Sequence, residues 1–200
     1  MSLKTSYRFF SPFYDFFVER ATAGLRKLSL SRLPLSGSEK ILLSGVGTGL
    51  DFPFLNACHE YTSLDLTAEM LVRARYRASR LRMEWVQGDS MALPFADEIF
   101  DCVVLHLIVA VVPQPERCLA EAARVLKPGG RVLIFDKFLH RGERAWVRRS
   151  LNVAVSRLAT RLDVVFEDVL AHTPNLQLIS DEPALAGGWF RLIELIKKEV

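Results

Sequence analysis

"ILLSGVGTGLDFPFL", Ile41 to Leu55, places three glycines at alternate positions directly behind an apolar run. The run lacks the apolar–polar alternation of a half-exposed strand, so it reads as a strand covered on both faces. Gly45, Gly47 and Gly49 form the turn that follows it. Without Cβ atoms such a turn lets a ligand lie against the backbone, and the helix start expected next would present free N–H groups. An ordinary tight turn also uses glycine, so the meaning of the loop depends on its surroundings.

Those surroundings alternate between apolar runs and helical patterns. "YTSLDL" from Tyr61 reads as a second strand, and "AEMLVRARYRAS", Ala68 to Ser79, as a helix with Met70, Leu71 and Ala74 on one side. "MEWVQGD" is a third strand and "FDCVVLHLI" from Phe100 a fourth. "PERCLAEAARVL" is a helix stopped by Lys127-Pro128-Gly129-Gly130, and "RVLIFDKF" is a fifth strand. Such alternation predicts right-handed βαβ units, hence an α/β fold with a doubly wound, mostly parallel sheet. The tail breaks the pattern: "NLQLISDEPA" and "WFRLIELIKKE" meet around Gly187-Gly188 with no helix between them. They predict a C-terminal antiparallel hairpin on that sheet.

The 200 residues, 50% of them hydrophobic, suffice for one core and one domain. Within it, residues 1–35 read as an N-terminal helical segment and residues 141–173 as a helical insertion before the last two strands. The net charge of +3 is mild but unevenly placed. Arg73, Arg75, Arg77, Arg80 and Arg82 crowd one stretch; Arg141, Arg144, Arg148, Arg149, Arg157 and Arg161 crowd another. Such faces are either solvated helix surfaces or contacts for anions. The three cysteines form no CxxC pair and the four histidines lack ligand spacing, so neither disulfides nor a metal site is expected. The N-terminus is broken by charges before a signal-like region forms, and "CVVLHLIVAVV" is too short to span a bilayer. A cytoplasmic protein is expected, with the option of lying on a membrane surface.

Asp65 ends the second strand about 20 residues after Gly45, where a carboxylate accepts both hydroxyls of a ribose. It would serve equally as a helix N-cap. A dinucleotide and S-adenosylmethionine both fit this much. A dinucleotide loop, however, reads GxGxxG, and the place of its third glycine is held by Leu50. The third strand favours S-adenosylmethionine: Gly88-Asp89 at its end, with Met91 and Leu93, sets a carboxylate beside apolar side chains, an environment suited to adenine.

"ILLSGVGTG", "GDSMALPFADEIFDCVV" and "EAARVLKPGGRVLIFD" resemble, in order and spacing, the motifs of class I S-adenosylmethionine-dependent methyltransferases. The resemblance covers roughly Glu39 to Asp136. It implies a Rossmann-like fold with a seven-stranded sheet and the antiparallel hairpin read above. It also implies that S-adenosylmethionine is held by Gly45, Val46, Gly47, Thr48 and Gly49, by Asp65, Leu66 and Met70, and by Gly88, Asp89, Ser90, Met91 and His106. One departure stands out. The acid that family members carry two residues before the first glycine is Leu43 here, which leaves Asp51, or Tyr7 and Tyr14, to hold the methionine end.

Methyl transfer from a sulfonium needs alignment and desolvation more than acid–base machinery. Acceptor-facing residues are expected at the carboxyl ends of strands four and five: His106 and Leu107, then Lys137, Phe138 and His140, with Tyr7 and Tyr14 from the N-terminus. His106, polar in an apolar run, is the candidate catalytic base; a structural histidine bonded to backbone is the other reading. "YRFFSPFYDFFVER" resembles the opening of bacterial phosphatidylethanolamine N-methyltransferases and of quinone-biosynthesis C-methyltransferases. "VPQPE" from Val112 and "EPALAGGWFRLIELIKK" look more like the phospholipid branch. Phe9, Phe10, Phe13, Phe16 and Phe17, and the stripe Val147, Leu151, Ala154, Val155, Leu158 and Leu162 among arginines, suit an anionic bilayer surface, or else pack on the core or roof the site. The expected acceptor is a phospholipid amine; the alternatives are C- or O-methylation of a quinone precursor or another small apolar acceptor, and a non-catalytic cofactor-binding partner. Nucleic-acid methylation is disfavoured, because "LHLIV" stands where an NPPY-like motif would.

Overall fold

A computed structural model describes residues 11–139, 164–185 and 187–199, with side chains from Arg20 onward except Ala21. Tyr7, His140 and the stripe from Val147 to Leu162 therefore lie outside the described residues, as do the side chains of Phe13, Tyr14, Phe16 and Phe17.

Helix α1 (Ser11–Leu30) leads into strand β1 (Lys40–Ser44). Strand β2 (Glu60–Asp65), helix α2 (Ala68–Arg75), strand β3 (Arg82–Gln87) and strand β4 (Phe100–His106) follow. Helix α3 (Pro115–Val125) precedes strand β5 (Leu126–Lys137), short helix α4 (Phe166–Ala171) and strands β6 (Leu176–Pro183) and β7 (Phe190–Lys197). The seven strands form one sheet in the order β3-β2-β1-β4-β5-β7-β6. The pairs from β3 to β5 are parallel, and β7 runs antiparallel to both β5 and β6.

Alternate residues of the central strands face opposite layers, as the pleat requires. Leu42, Val103 and Ile134 join one buried cluster with Cys118, Leu119 and Ala122 of α3. Ile41, Leu43, Val104 and Leu133 join the other, with Leu30 of α1 and with Leu71 and Ala74 of α2. Both faces are covered, which is why β1 and β4 read as unbroken apolar runs.

Three expectations shift. No α-helix follows the glycine loop; a single 3₁₀ turn, Phe52–Phe54, takes its place. The α2 helix stops at Arg75 rather than Ser79, closing with turn bonds from the Tyr76 and Arg77 amides. The Lys127–Gly130 stop falls inside β5, where the register with β4 jumps between Phe100 and Cys102. Gly130 permits that jump, because a Cβ there would lie 2.9 Å from the Asp101 carbonyl oxygen. Of the expected insertion, α4 is the described helix, and its approach is fixed by the Leu139 amide donating to the Val164 carbonyl at 2.8 Å.

Candidate functional site

The strand order reverses between β1 and β4, and in open parallel sheets a crevice forms at the carboxyl ends of the strands at such a point. A cleft of about 350 Å³ opens there. Its floor includes Gly45 and Gly47, and Asp65, Leu66 and Met70 form one side. Asp89, Ser90 and Met91 lie on another side, and Leu107 and Ile108, directly after β4, also line it.

The three loop glycines have three different reasons. A Cβ on Gly45 would meet the Ile108 side chain at 2.7 Å, and one on Gly49 would meet the Phe52 ring at 2.7 Å. Gly47 has nothing within 4 Å of that position, so its bare side faces open cleft. All three adopt positive φ, which a side chain resists. Four of the loop amides are paired within the protein. Those of Gly45 and Val46 donate to the Leu64 carbonyl, that of Gly49 to Val46, and that of Gly47 to Asp65 Oδ2 at 2.9 Å. The loop therefore supplies room, and the N–H groups of Gly45, Val46, Gly47 and Gly49 are spent inside the protein.

Asp65 also accepts at Oδ1 from the Thr67 amide (3.0 Å) and hydroxyl (3.2 Å). Burial pushes its carboxyl above the ordinary range, opposed by the Thr67 and Gly47 donors. Asp89 Oδ1 accepts from the Met91 amide at 2.8 Å, which folds the segment after β3 back toward the cleft. Beside Gly45, the buried hydroxyls of Ser44 and Ser90 hydrogen-bond at 2.8 Å and join the ends of β1 and β3.

The structure thus brings Gly45, Gly47, Asp65, Leu66, Met70, Asp89, Ser90, Met91 and Leu107 together as expected. Val46, Thr48, Gly49 and Gly88 are not among the residues that line the cleft. Gly88, for one, is held by packing, since a Cβ there would lie 2.9 Å from Leu64.

His106 is a correction. Its ring is buried away from the cleft lining, with Nδ1 2.7 Å from Asp51 Oδ1 and Nε2 2.9 Å from Ser29 Oγ. Both nitrogens have partners within the protein, and the ring is not among the residues that line the cleft. Asp51 also accepts from Arg26 Nη1 at 2.8 Å. Burial alone would raise the Asp51 carboxyl, but the charges and hydrogen bonds of His106 and Arg26 outweigh it and hold it well below the ordinary range. Phe138 is a second correction: it is buried against Phe166, ring centroids 5.1 Å apart, rather than facing the cleft. Lys137 is half-buried at the end of β5, and desolvation lowers its ammonium value against the pull of Asp136. Leu43 lies in the core, where a carboxylate would have lost its water.

The sequence reading missed Thr67, Ile108, Val111, Val112 and Pro113, which also line the cleft. The last four belong to the apolar run after β4, whose length beyond the strand was the available signal. It also missed Arg26 and Ser29, which have no local signature because their partners are distant in sequence. Among the described residues, no cluster of His, Cys, Asp or Glu is arranged to hold a metal, and no helix is long and apolar enough to cross a membrane.

Residues 42–134 match the family described as Methyltransferase domain. A phosphatidylethanolamine N-methyltransferase from Cereibacter sphaeroides is 34% identical over 190 residues, 92% of this chain and 93% of that protein. A ubiquinone/menaquinone biosynthesis C-methyltransferase, UbiE, from Roseobacter denitrificans is 37% identical over 134 residues, which span 62% of this chain and 54% of the relative. Geranyl diphosphate C-methyltransferase from Streptomyces coelicolor was solved with Mg2+, geranyl-S-thiolodiphosphate and S-adenosyl-L-homocysteine. It shares the fold with a TM-score of 0.69 at 13% identity, over 89% of this chain and 76% of that one.

Proposed function

Because this chain belongs to the S-adenosylmethionine-dependent methyltransferases, we propose that its acceptor is the amine of a phospholipid head group of the phosphatidylethanolamine kind. The chain is an enzyme, and S-adenosylmethionine is its cofactor. What carries the choice of acceptor is the end-to-end likeness to the phosphatidylethanolamine N-methyltransferase. The likeness to UbiE is confined to a shorter stretch.

The cleft fits the cofactor on its own terms. Its volume lies in the usual range for small-molecule sites, and it is mainly apolar with a few polar groups. Gly47 would admit the ligand against bare backbone, Asp65 would face the ribose and Asp89 the adenine amine, with Met91 on the ring. When bound, the cofactor supplies a methyl group already activated by its sulfonium.

An ammonium has no lone pair, so the acceptor nitrogen must lose its proton before attack. With His106 bonded to Asp51 and Ser29, the apolar walls Ile108, Val111 and Val112 are the means: they disfavour the charged amine, so the ammonium gives its proton to bulk water before the neutral amine enters, and they then exclude water. Catalysis then rests on alignment and desolvation. Peripheral contact with an anionic bilayer through the N-terminal aromatics and the 141–161 arginines belongs to the same reading.

The test is to incubate the protein with methyl-labelled S-adenosylmethionine and, separately, phosphatidylethanolamine vesicles and a demethylated quinol, then separate the products. Label in the phospholipid is expected. Label confined to the quinol would replace this reading with C-methylation.

A further inference from the structure

We propose that Asp51 is a positioning residue that couples helix α1 to the cofactor cleft, so that the N-terminal helix and the cofactor loop become ordered as one unit. The inference needs only the family's cofactor and holds whichever acceptor is methylated.

The observation is a buried polar chain linking three elements. From α1, Arg26 donates through Nη1 to Asp51 at 2.8 Å and through Nε to Thr22 at 3.1 Å. Also from α1, the Ser29 hydroxyl reaches His106 Nε2 at 2.9 Å, and His106 Nδ1 returns to the same Asp51 oxygen at 2.7 Å. Thr22, Arg26, Ser29, Asp51 and His106 are all at most 7% exposed. A carboxylate so placed is tolerable only while its cation is present; removing one partner of a buried pair leaves an uncompensated charge that must find water.

Each end of this chain is joined to a cleft wall through the backbone. Asp51 follows the glycine loop directly, and its carbonyl accepts from the Phe54 amide, closing the turn that ends the loop. His106 is followed by Leu107, held at φ +57, and by Ile108, whose side chain fills the space left by the missing Cβ of Gly45. Moving Asp51 would therefore shift the loop carrying Gly47, and moving His106 would shift the wall opposite. The network fixes the width of the cleft from outside it. By linkage, a ligand that needs that width must in turn tighten the hold on α1.

The test compares wild type with Arg26→Met, Asp51→Asn, the double variant and Ser29→Ala. Two quantities are read: S-adenosylhomocysteine affinity by calorimetry, and tryptic cleavage after Lys27 with and without that ligand. Tenfold or greater loss of affinity is expected in each of the first two, with the double variant no worse than the poorer single one, because both break one network. S-adenosylhomocysteine should protect Lys27 in wild type and not in Arg26→Met. Ser29→Ala leaves the ion pair intact and should show a smaller loss in the same direction. A merely structural role would lower the melting temperature without moving the affinity of the folded fraction. Affinities within twofold of wild type in folded Arg26→Met and Asp51→Asn would overturn the proposal. Should those two fail to fold, unchanged affinity and protection in Ser29→Ala would overturn it.

Discussion

The Gly47 amide donates to Asp65 Oδ2 at 2.9 Å, so the acid proposed to face the cofactor ribose is also the clasp of the glycine loop. Asp65→Ala is therefore expected to weaken S-adenosylhomocysteine binding by about 1–3 kcal/mol, the usual loss for a charge-assisted acceptor. Asp65→Asn keeps an oxygen for Gly47 but no charge, and should fall between. Calorimetry showing unchanged affinity in Asp65→Ala would refute the assignment.

Gly47 and Gly49 separate room for ligand from room for packing. Gly49→Ala combines a left-handed backbone with a methyl 2.7 Å from the Phe52 ring, and should cost about 2–5 kcal/mol of stability in a denaturant melt. Gly47→Ala meets no neighbour and should cost only about 1–2 kcal/mol. Its added methyl points into open cleft, so it should lower cofactor affinity out of proportion to that loss. Equal effects of the two on affinity would contradict this division.

Cysteine chemistry gives an independent check on the core. Burial pushes the Cys102 and Cys118 thiols up to about 12, while Cys58 is only half-buried. A thiol reagent at pH 8 should label one cysteine in the native protein and three after unfolding, since the thiolate is the nucleophile. Rapid native labelling of Cys102 or Cys118 would show that the sheet is less closed than described.

Asp136 supplies a pH dependence with a defined sign. It is fully buried, accepting from the Ala110 amide at 2.9 Å and the Lys137 amide at 2.8 Å, and burial raises its carboxyl above the ordinary value. A raised carboxyl holds its proton more tightly folded than unfolded. Its favourable contribution is complete below the unfolded value, about 4, and is lost as pH rises through the folded one. The stability gap between wild type and Asp136→Asn should therefore shift against wild type as pH rises above about 4. A gap that moves the other way in urea melts would reverse the assignment.

The membrane reading predicts that the protein sediments with anionic vesicles at low salt and is released as salt rises, each basic residue near the surface contributing on the order of 1 kcal/mol. Replacing Arg148, Arg149, Arg157 and Arg161 with glutamine should abolish sedimentation. Failure of the parent protein to sediment at low salt would end the idea.

What the sequence disclosed follows from which interactions are local. The strands β1 and β4 were legible because burial on both faces removes polar residues, and the acids Asp65 and Asp89 because each closes a strand. The role of His106 was not legible. Its two partners, Ser29 and Asp51, are distant in sequence, and only the sheet brings them within bonding distance. Nor could spacing show that Gly45 is kept free of a side chain by Ile108, which arrives from the segment after β4. The helix expected after the glycine loop failed for a local reason: Pro53 and the bonds around Asp51 leave a single 3₁₀ turn.

Strand β7, the last in chain order among those described, lies between β5 and β6 inside the sheet. Its arrival time matters to a chain being made on a ribosome. Strands β1 to β5 emerge first and can assemble around the cofactor cleft, but β5 then presents a bare row of amides and carbonyls flanked by Val132, Leu133 and Ile134. Such an edge invites pairing with another nascent chain until β7 covers it. The late pairing is also long-range, which slows it relative to local structure. The yield of folded enzyme should thus depend on how quickly synthesis runs from β5 to β7, and on whether a chaperone shelters the edge in that interval.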